Sequence, residues 1–286
     1  MLSEKSICVI NKGNKINKIE KVFMSVLSYL ENVASNFVLY SNELSNISTS
    51  VNTISNRINL YFDSMVKEHF KFGSSTRDTI LPRKYDEKSD IDYIVIFDNP
   101  NNYKPQTFLS WLKKFAEKYY SRSEIYQSSP TMVLELSHIK FELVPAMRDL
   151  INTIHIPSPS SSYVDWISTS PNDFNTTLTT ANINNNYKIK PLIRLMKYWN
   201  VQKLSRGYKS FELEEWVIKR NFYYCTNLKE YLFKCIDDLN YNYNSSQYLK
   251  TAVDNAKTIV NNIREYEKNG YTINAEIEIK KMIPEL

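Results

Sequence analysis

The chain has 286 residues, of which 42% are hydrophobic and 23% are charged. This composition is typical of a folded globular chain and excludes a disordered or fibrous one. The 36 lysines and arginines exceed the 31 aspartates and glutamates, so the formal net charge is +5. An excess this small suits anionic small molecules such as nucleotides and does not require a nucleic-acid duplex.

The numbers and positions of cysteine, histidine and apolar residues narrow the class of protein further. Three cysteines and three histidines are too few and too scattered to predict a zinc cluster or a disulfide framework. The N-terminal sequence lacks the apolar centre of a signal peptide, and no window approaches the length of a membrane span. We therefore expect a cytoplasmic chain with no membrane insertion.

Helices are predicted before the first strand. Apolar residues recur at three- and four-residue spacing from 16 to 40, which predicts an amphipathic helix. The Ser- and Asn-rich segment 41–50 predicts a break. Residues 51–70 then predict a second helix that ends shortly before Gly73.

Three apolar, β-branched segments predict strands, at 92–97 (DYIVIF), 132–136 (MVLEL) and 138–146 (HIKFELVPA). Residues 108–120 have helical periodicity and lie between the first two. Residues 71–150 are therefore expected to form a small mixed sheet with flanking helices.

The pattern changes after residue 150. Segment 156–174 contains three prolines and many serines, which predicts a loop or crossover. Residues 183–268 have a mostly helical pattern. We predict an α+β fold with two domains, a lobe at 1–150 that includes the N-terminal helix as a brace, and a helical lobe at 151–286.

Two aspartates at the start of a predicted strand are the first candidate site residues. Side chains alternate along a strand, so Asp90 and Asp92 point the same way, while Ile91 and Tyr93 point to the opposite face. Two adjacent carboxylates are costly unless a cation joins them. Hard oxygen ligands suit Mg²⁺ bound together with substrate phosphates. Glu142 on a later strand could supply a third acid for two-metal nucleotidyl transfer.

A Gly-Ser pair precedes the two aspartates. The chain has only four glycines, and Gly73 lets the backbone approach a phosphate closely. N–H groups at a helix start can bind the same anion, and the Ser74 hydroxyl and Arg77 can add to that binding. A lone Gly-Ser pair or a lone Asp-X-Asp is weak evidence, since the latter is most often a solvated strand end. Their order and the third acid make the combination far more specific.

The combination GSSTRDT (73–79), SDID (89–92) and FELVPA (141–146) resembles the polymerase-β-type nucleotidyltransferase superfamily. More narrowly it resembles the CD-NTases, relatives of cGAS and the oligoadenylate synthetases. The resemblance continues through 156–174, IKPLIRLMKYWN (189–200) and GYKSFELEEWV (207–217). It covers about 71–217 and implies a two-lobed polymerase-β-like fold with a mixed sheet and a helical C-terminal lobe.

The resemblance implies roles for individual residues. Asp90, Asp92 and Glu142 would bind two Mg²⁺ ions, for which Mn²⁺ could substitute, and Gly73 and Ser74 would bind the donor triphosphate. Lys197 and Ser210 would reach the same phosphates from the helical lobe. Lys190, Arg194 and Lys197 form a basic stripe that could instead be a solvated face, and Ser210 could instead cap the helix that it begins.

One position departs from the resembling family. The third acid is usually Asp there, whereas this chain has Glu142, whose longer side chain still reaches a metal but could change metal spacing or preference. Glu135 on the preceding strand is a weaker candidate for the same position. Tyr198 and Tyr208 are the least arbitrary candidates among 21 tyrosines for stacking on a nucleobase.

Three functions remain open from the sequence. The first is template-independent synthesis of a cyclic or linear oligonucleotide second messenger from nucleoside triphosphates, which the resemblance links to antiviral defence and to a separate effector protein. The second is extension of a nucleic-acid end or of a protein primer, for which Tyr271 is a candidate. The third is a nucleotide-sensing pseudo-enzyme, against which the intact Asp90 and Asp92 argue. Nucleic-acid binding, base choice and product linkage stay open.

Overall fold

The computed structural model describes residues 24–128, 130–161 and 165–285. Within these ranges the helices are α1 (Val26–Asn36), α2 (Ser41–Phe62), α3 (Pro105–Tyr119), α4 (Asp173–Asn184), α5 (Ile189–Leu204), α6 (Ser210–Ile218), α7 (Leu228–Asp238), α8 (Gln247–Lys268) and α9 (Thr272–Met282). The strands are β1 (Val66–Phe72), β2 (Asp90–Phe97), β3 (Glu124–Ser128), β4 (Thr131–Glu135), β5 (Lys140–Arg148), β6 (Ile154–Pro157) and β7 (Trp166–Thr169).

The strands form one mixed sheet. Its main order is β1-β2-β5-β4-β3, with β6 paired to the end of β5 and β7 paired to β6. Strands β2 and β5 are parallel, and their register aligns Asp92 with Glu142. The other pairs are antiparallel. The predicted α+β fold with a mixed sheet is confirmed.

The two faces of the sheet have different coverings. Ile91, Tyr93, Phe141 and Leu143 are buried in a core with α2 and α3. The alternate residues, including Ile94, form a smaller apolar cluster on the opposite face. Because side chains alternate along a strand, the acidic residues at the start of β2 lie on this second face.

A second core joins the helices. Residues of α1, α5, α7, α8 and α9 pack in one apolar cluster with Trp199 at 1% exposure near its centre. At the end of α1, the Phe37 ring centroid lies 4.8 Å from that of Tyr85, which precedes β2. The predicted division at residue 150 stays a prediction, and strand pairing continues past it to Thr169.

Several sequence expectations were confirmed. Strands cover most of 92–97, 132–136 and 138–146, helix α3 covers most of 108–120, and 183–268 is mostly helical. The N-terminal helix is observed only over Val26–Asn36, and residues 16–23 lie outside the described residues.

The predicted break at 41–50 is wrong, because α2 begins at Ser41. Glu43 accepts a 3.0 Å hydrogen bond from the Tyr40 N–H at the helix start. Burial of Ile47, Ile54 and Ile58 on one helix face outweighs the weak helix propensity of serine and asparagine.

Two further segments differ from expectation. The predicted helix 51–70 ends at Phe62, and β1 follows because its backbone completes an antiparallel pair with β2. The serine- and proline-rich segment 156–174 was expected to be a loop, yet β7 and the end of β6 pair within it. Pro157 ends β6 at the sheet edge, where a missing N–H is tolerated.

Candidate active site

Three acidic side chains meet at the start of β2 and β5. Asp90 and Asp92 lie two residues apart on one face of β2, and Glu142 is the register partner of Asp92 on β5. Lys140 lies on β5 opposite Asp90, and its Nζ is 3.0 Å from Asp90 Oδ2 and 2.7 Å from Glu142 Oε1. The structure therefore brings the three predicted acids to the same end of the sheet, where Lys140 pairs with Asp90 and Glu142.

Gly73 lies against one of these acids. It begins a 3₁₀ turn, Gly73–Thr76, directly after β1, and has a φ of +73°. A Cβ added at Gly73 would lie 1.8 Å from Asp92 Oδ2. Both the left-handed backbone and the contact with the carboxylate therefore require glycine. The sequence interpretation placed Gly73 at the start of a helix, whereas the structure has only a single 3₁₀ turn.

The electrostatics of the site disfavour charged carboxylates. Burial, with the neighbouring Asp90 and Glu142, raises the pKa of Asp92 to about 8. Burial and Glu142 likewise raise the pKa of Asp90 to about 6, although Lys140 opposes the change. Burial lowers the pKa of Lys140, but its hydrogen bonds to the two carboxylates outweigh burial and raise it overall. Such clustering of raised acid pKa values is typical of functional sites.

A cavity of about 230 Å³ opens beside these acids. It lies between the sheet and helices α5 and α6. It contains six predicted site residues, namely Ser74, Arg77, Asp90, Asp92, Lys197 and Ser210. Its other walls include Asp86, Lys88, Arg206, Phe211 and Glu214.

Glu214 joins the two predicted phosphate-binding cations. Its carboxylate accepts hydrogen bonds of 2.8 Å from Arg77 Nε, Thr79 Oγ1 and Lys197 Nζ. Burial opposes the charge on Glu214, but Lys197 and Arg77 outweigh burial and lower its pKa. A buried carboxylate with two cations is fully paired, so this wall of the cavity is pre-organised.

The basic stripe of α5 is not a solvated face. Lys190 Nζ lies 2.7 Å from Asp78 Oδ2, and Arg194 donates to the Asp78 carbonyl at 2.8 Å. Lys197 donates to the Thr79 carbonyl at 2.9 Å. All three side chains therefore hold the segment that follows Gly73–Thr76 against α5.

A family comparison follows this geometry. The family model described as "Second Messenger Oligonucleotide or Dinucleotide Synthetase domain" (SMODS) matches residues 24–182, which is more than half of the chain. The chain belongs to the SMODS family. This match confirms the resemblance to CD-NTases that the sequence motifs indicated.

One curated relative is similar to this chain in sequence. A cyclic AMP-AMP-AMP synthase of Acinetobacter sp. (strain ATCC 27244 / 9458) is 26% identical over 214 residues. The alignment spans 66% of this chain and 60% of that relative, so the chain spans about three-fifths of its length.

Solved structures share the fold. CdnC of E. coli MS115-1, solved with ATP, has a TM-score of 0.69 at 14% identity and covers 92% of this chain and 98% of its own. The di-nucleotide cyclase DncV of Vibrio cholerae, in complex with GTP and 5MTHFGLU2, has a TM-score of 0.71 at 10% identity. The match covers 91% of this chain and 96% of DncV.

None of the helices in the described ranges is long and apolar enough to cross a membrane.

Two predicted site residues of this SMODS chain, Gly73 and Glu142, are not among the residues that line the cavity. Ser210 is the first residue of α6 and lines the cavity, but Lys209 occupies the cap position and no side chain caps this helix, so the capping alternative is wrong. Tyr271 lies at the start of α9 and is not among the residues that line the cavity. Glu135, the weaker candidate for the third acid, is paired with Arg83 at 2.8 Å.

The aromatic candidates are corrected. Tyr198 is fully buried against Phe37, and the Tyr208 ring packs on Trp199, so neither presents a face to the cavity. Phe211, which is 48% exposed, lines the cavity instead. Its position directly after Ser210 is a signal that the sequence reasoning did not use.

The three acids offer the donor atoms that a divalent metal requires. Asp90, Asp92 and Glu142 supply hard oxygen atoms on one sheet face, as Mg²⁺ requires. The backbone of Asp92 is paired in the sheet, but its side chain makes no hydrogen bond within the described part of the chain, so its carboxylate oxygens are available. No group of three such side chains in that part is placed to hold an ion as it stands. The oxygen donors are of the type that Mg²⁺ prefers, and the Lys140 ammonium already lies between two of the acids.

Proposed function

We propose that this SMODS chain is a metal-dependent, template-independent nucleotidyltransferase that joins nucleoside triphosphates into a cyclic or linear oligonucleotide second messenger. The observation that carries the proposal is the placement of Asp90, Asp92 and Glu142 at the start of β2 and β5. Gly73 lies against Asp92, and Asp90, Asp92 and Ser74 line the cavity. The family match and the synthase activity printed for the Acinetobacter relative support the same reaction class.

Asp90, Asp92 and Glu142 are the residues that would hold divalent metal, Mg²⁺ with Mn²⁺ as a substitute. Bound there, the ions supply charge stabilisation on the transferred phosphoryl group and activation of the attacking hydroxyl. The raised pKa values of Asp90 and Asp92 show that the cluster resists full ionisation without added positive charge. Metal and ionised carboxylates are therefore expected to stabilise each other.

The cavity walls would bind the nucleotide. Ser74, from the turn after β1, and Ser210, from the start of α6, both line the cavity, and each hydroxyl would donate to a phosphate oxygen. Lys197 adds a cation that Glu214 keeps fixed. Phe211 offers an exposed ring on which a base can stack. Arg77 lines the same cavity, and its guanidinium lies 5.3 Å from the Phe174 ring and 5.7 Å from the Phe211 ring.

The biological setting is also proposed. The product would be read by a separate effector protein, and the reaction would take place in the cytoplasm as part of antiviral defence. The family match supports second-messenger synthesis in general. It leaves the base, the sugar and the linkage to experiment.

Product analysis tests the proposal. Purified chain is incubated with labelled NTPs or dNTPs and Mg²⁺ or Mn²⁺, and the products are treated with phosphatase. With label at the α-phosphate, a protein-free product whose mass and gel mobility do not change on phosphatase treatment indicates a cyclic messenger. Linear chains keep their internal label but lose their terminal 5′ phosphates, so their mass and mobility change. Label that migrates with the polypeptide would favour protein priming, which Tyr271→Phe then tests. No labelled product with any nucleotide mixture would contradict the enzyme and favour a nucleotide sensor.

A further inference from the structure

Lys140 bridges two of the three acids. It begins β5, its side chain is only 15% exposed, and its Nζ contacts Asp90 Oδ2 and Glu142 Oε1. Its register partner on β2 is Asp90, and its register partner on β4 is Glu135. Glu135 is held by Arg83. The ammonium therefore lies between Asp90 and Glu142.

The same two carboxylates are proposed metal ligands. Lys140 hydrogen-bonds to one oxygen of each carboxylate, Asp90 Oδ2 and Glu142 Oε1, and a divalent ion at these oxygens would need the same lone pairs. An ammonium and a metal ion in contact with the same pair of oxygens would also repel each other. The two cations therefore compete for this position. Lysine has four rotatable carbons in its stem, so its ammonium can move aside while the backbone of β5 stays in place.

We propose that Lys140 is a built-in counter-ion of the acid cluster that occupies the cation position between Asp90 and Glu142 and must be displaced when a divalent metal binds. The lysine thereby stabilises the metal-free site and raises the metal concentration at which the site fills. This inference rests on the proposed function, in which these carboxylates hold the metal.

Metal titration tests the inference without nucleotide. Full-length wild type, Lys140→Met and Lys140→Gln are titrated with Mn²⁺ by calorimetry, and free Mn²⁺ is followed by electron paramagnetic resonance. Loss of the competing cation is expected to lower the Mn²⁺ dissociation constant on the order of tenfold, equivalent to about 1.4 kcal/mol. An unchanged or higher dissociation constant in a folded variant would overturn the proposal and make Lys140 an orienting residue.

The chain offers a matched control. Lys280 also bridges two carboxylates, at 2.7 Å from Glu276 and 3.4 Å from Glu285, but lies on α9. Lys280→Met is expected to leave the Mn²⁺ dissociation constant unchanged, and an equal tightening would overturn the proposal. Mn²⁺ binding that persists in Asp90→Ala with Asp92→Ala would instead overturn the metal site and the proposed function with it.

A second measurement uses only the wild type, in case the variants do not fold. Reductive methylation with formaldehyde and cyanoborohydride, read by peptide mass spectrometry, reports the reactivity of each lysine amine. Lys140 is expected to react slowly without metal and faster once Mn²⁺ displaces it, whereas the rate at Lys280 stays constant. A Lys140 rate that stays constant or falls on adding Mn²⁺ would contradict displacement.

Discussion

Glu214 accepts a 2.8 Å hydrogen bond from Arg77 Nε across 137 positions of sequence, and both side chains are buried. Arg77 closes the turn that begins at Gly73, and Glu214 belongs to α6. The pair therefore links the Gly73–Thr76 turn, which is predicted to bind phosphate, to helix α6 of the cavity wall. Lys197 of α5 shares the same carboxylate.

Removal of the charge on Glu214 is expected to destabilise the fold. Glu214→Gln leaves Arg77 and Lys197 buried with no carboxylate between them. Breaking a buried ion pair from one side costs about 3–5 kcal/mol, measurable as the free energy of unfolding in urea. Combining Glu214→Gln with Arg77→Met is expected to cost less than the sum of the two single changes, because each change removes the same interaction.

Glu276→Gln is the matched control for this prediction. Glu276 is also a buried glutamate paired with a lysine, at 2.7 Å from Lys280, but it pairs with one cation and lies on α9. The loss in free energy of unfolding caused by Glu276→Gln is expected to be smaller, and it is expected to be the same with or without Arg77→Met. Strict additivity of Glu214→Gln and Arg77→Met would contradict a shared network.

Gly73→Ala is expected to disrupt the acid cluster. An alanine Cβ would collide with the Asp92 carboxylate and would also adopt a left-handed backbone. Gly270→Ala isolates the second effect, since Gly270 has a similar φ of +76° and nothing within 4 Å of an added Cβ. Left-handed strain alone costs of order 1–3 kcal/mol.

The two alanine variants are compared in urea denaturation and in product formation. Gly73→Ala is expected to lose more stability than Gly270→Ala and to lose product formation, which Gly270→Ala retains. Equal activity of the two variants would show that the contact between Gly73 and Asp92 has no role in the reaction.

The metal-free protein is expected to lose stability as the pH rises through the range in which the acid cluster titrates. The pKa of Asp92 is raised from an ordinary 3.8 to about 8, so between these values the folded state binds more protons than the unfolded state. Stability therefore falls from about pH 4 to about pH 8. Asp92→Asn removes this loss and is expected to raise the melting temperature at pH 8 by about 3 °C or more, with a smaller gain at pH 5.

Asp149→Asn is a control of opposite sign. A hydrogen bond from His155 lowers the pKa of Asp149, so its ionised form favours the folded state above pH 4. No gain in melting temperature at pH 8 is expected from this change. Both variants are measured by differential scanning calorimetry in a chelator, and a lower melting temperature for Asp92→Asn at pH 8 would contradict the raised pKa.

Phe211→Ala is expected to weaken nucleotide binding. Loss of base stacking costs about 1–3 kcal/mol per base, which corresponds to an increase in KM of about 5-fold to 150-fold with a smaller change in kcat. Phe211→Trp keeps a ring and is expected to retain most of the affinity. Tyr223→Ala removes an exposed ring outside the cavity and serves as control. An unchanged KM in Phe211→Ala would exclude stacking on this ring.

The strands that bear the acid cluster were easier to predict from the sequence than the cavity wall was. Asp90, Asp92 and Glu142 could be predicted from the sequence because apolar residues alternate with them at strand spacing. The parallel register of β2 and β5 then aligns Asp92 with Glu142. The fold class followed from the same strands and from the motif resemblance.

Long-range polar contacts could not be predicted. In the sequence Glu214 is one of three glutamates of α6, and only tertiary packing shows which of them meets Arg77. Lys140 likewise reads as a polar residue at a strand start until the register places it beside Asp90. Strand β1 was missed because its charged residues, such as Lys67 and Glu68, hide a strand that backbone pairing with β2 stabilises.

The central claim is that Asp90 and Asp92 carry out metal-dependent nucleotidyl transfer. The most direct measurement compares labelled product from wild type, Asp90→Ala with Asp92→Ala, and Asp237→Ala with Asp238→Ala, all shown to be folded by circular dichroism. The last pair also removes two acids, which lie on α7 and pair with Arg264 and Lys234. We expect product from wild type and from the α7 variant, and none from the β2 variant. Product at the wild-type rate from Asp90→Ala with Asp92→Ala would contradict the assignment.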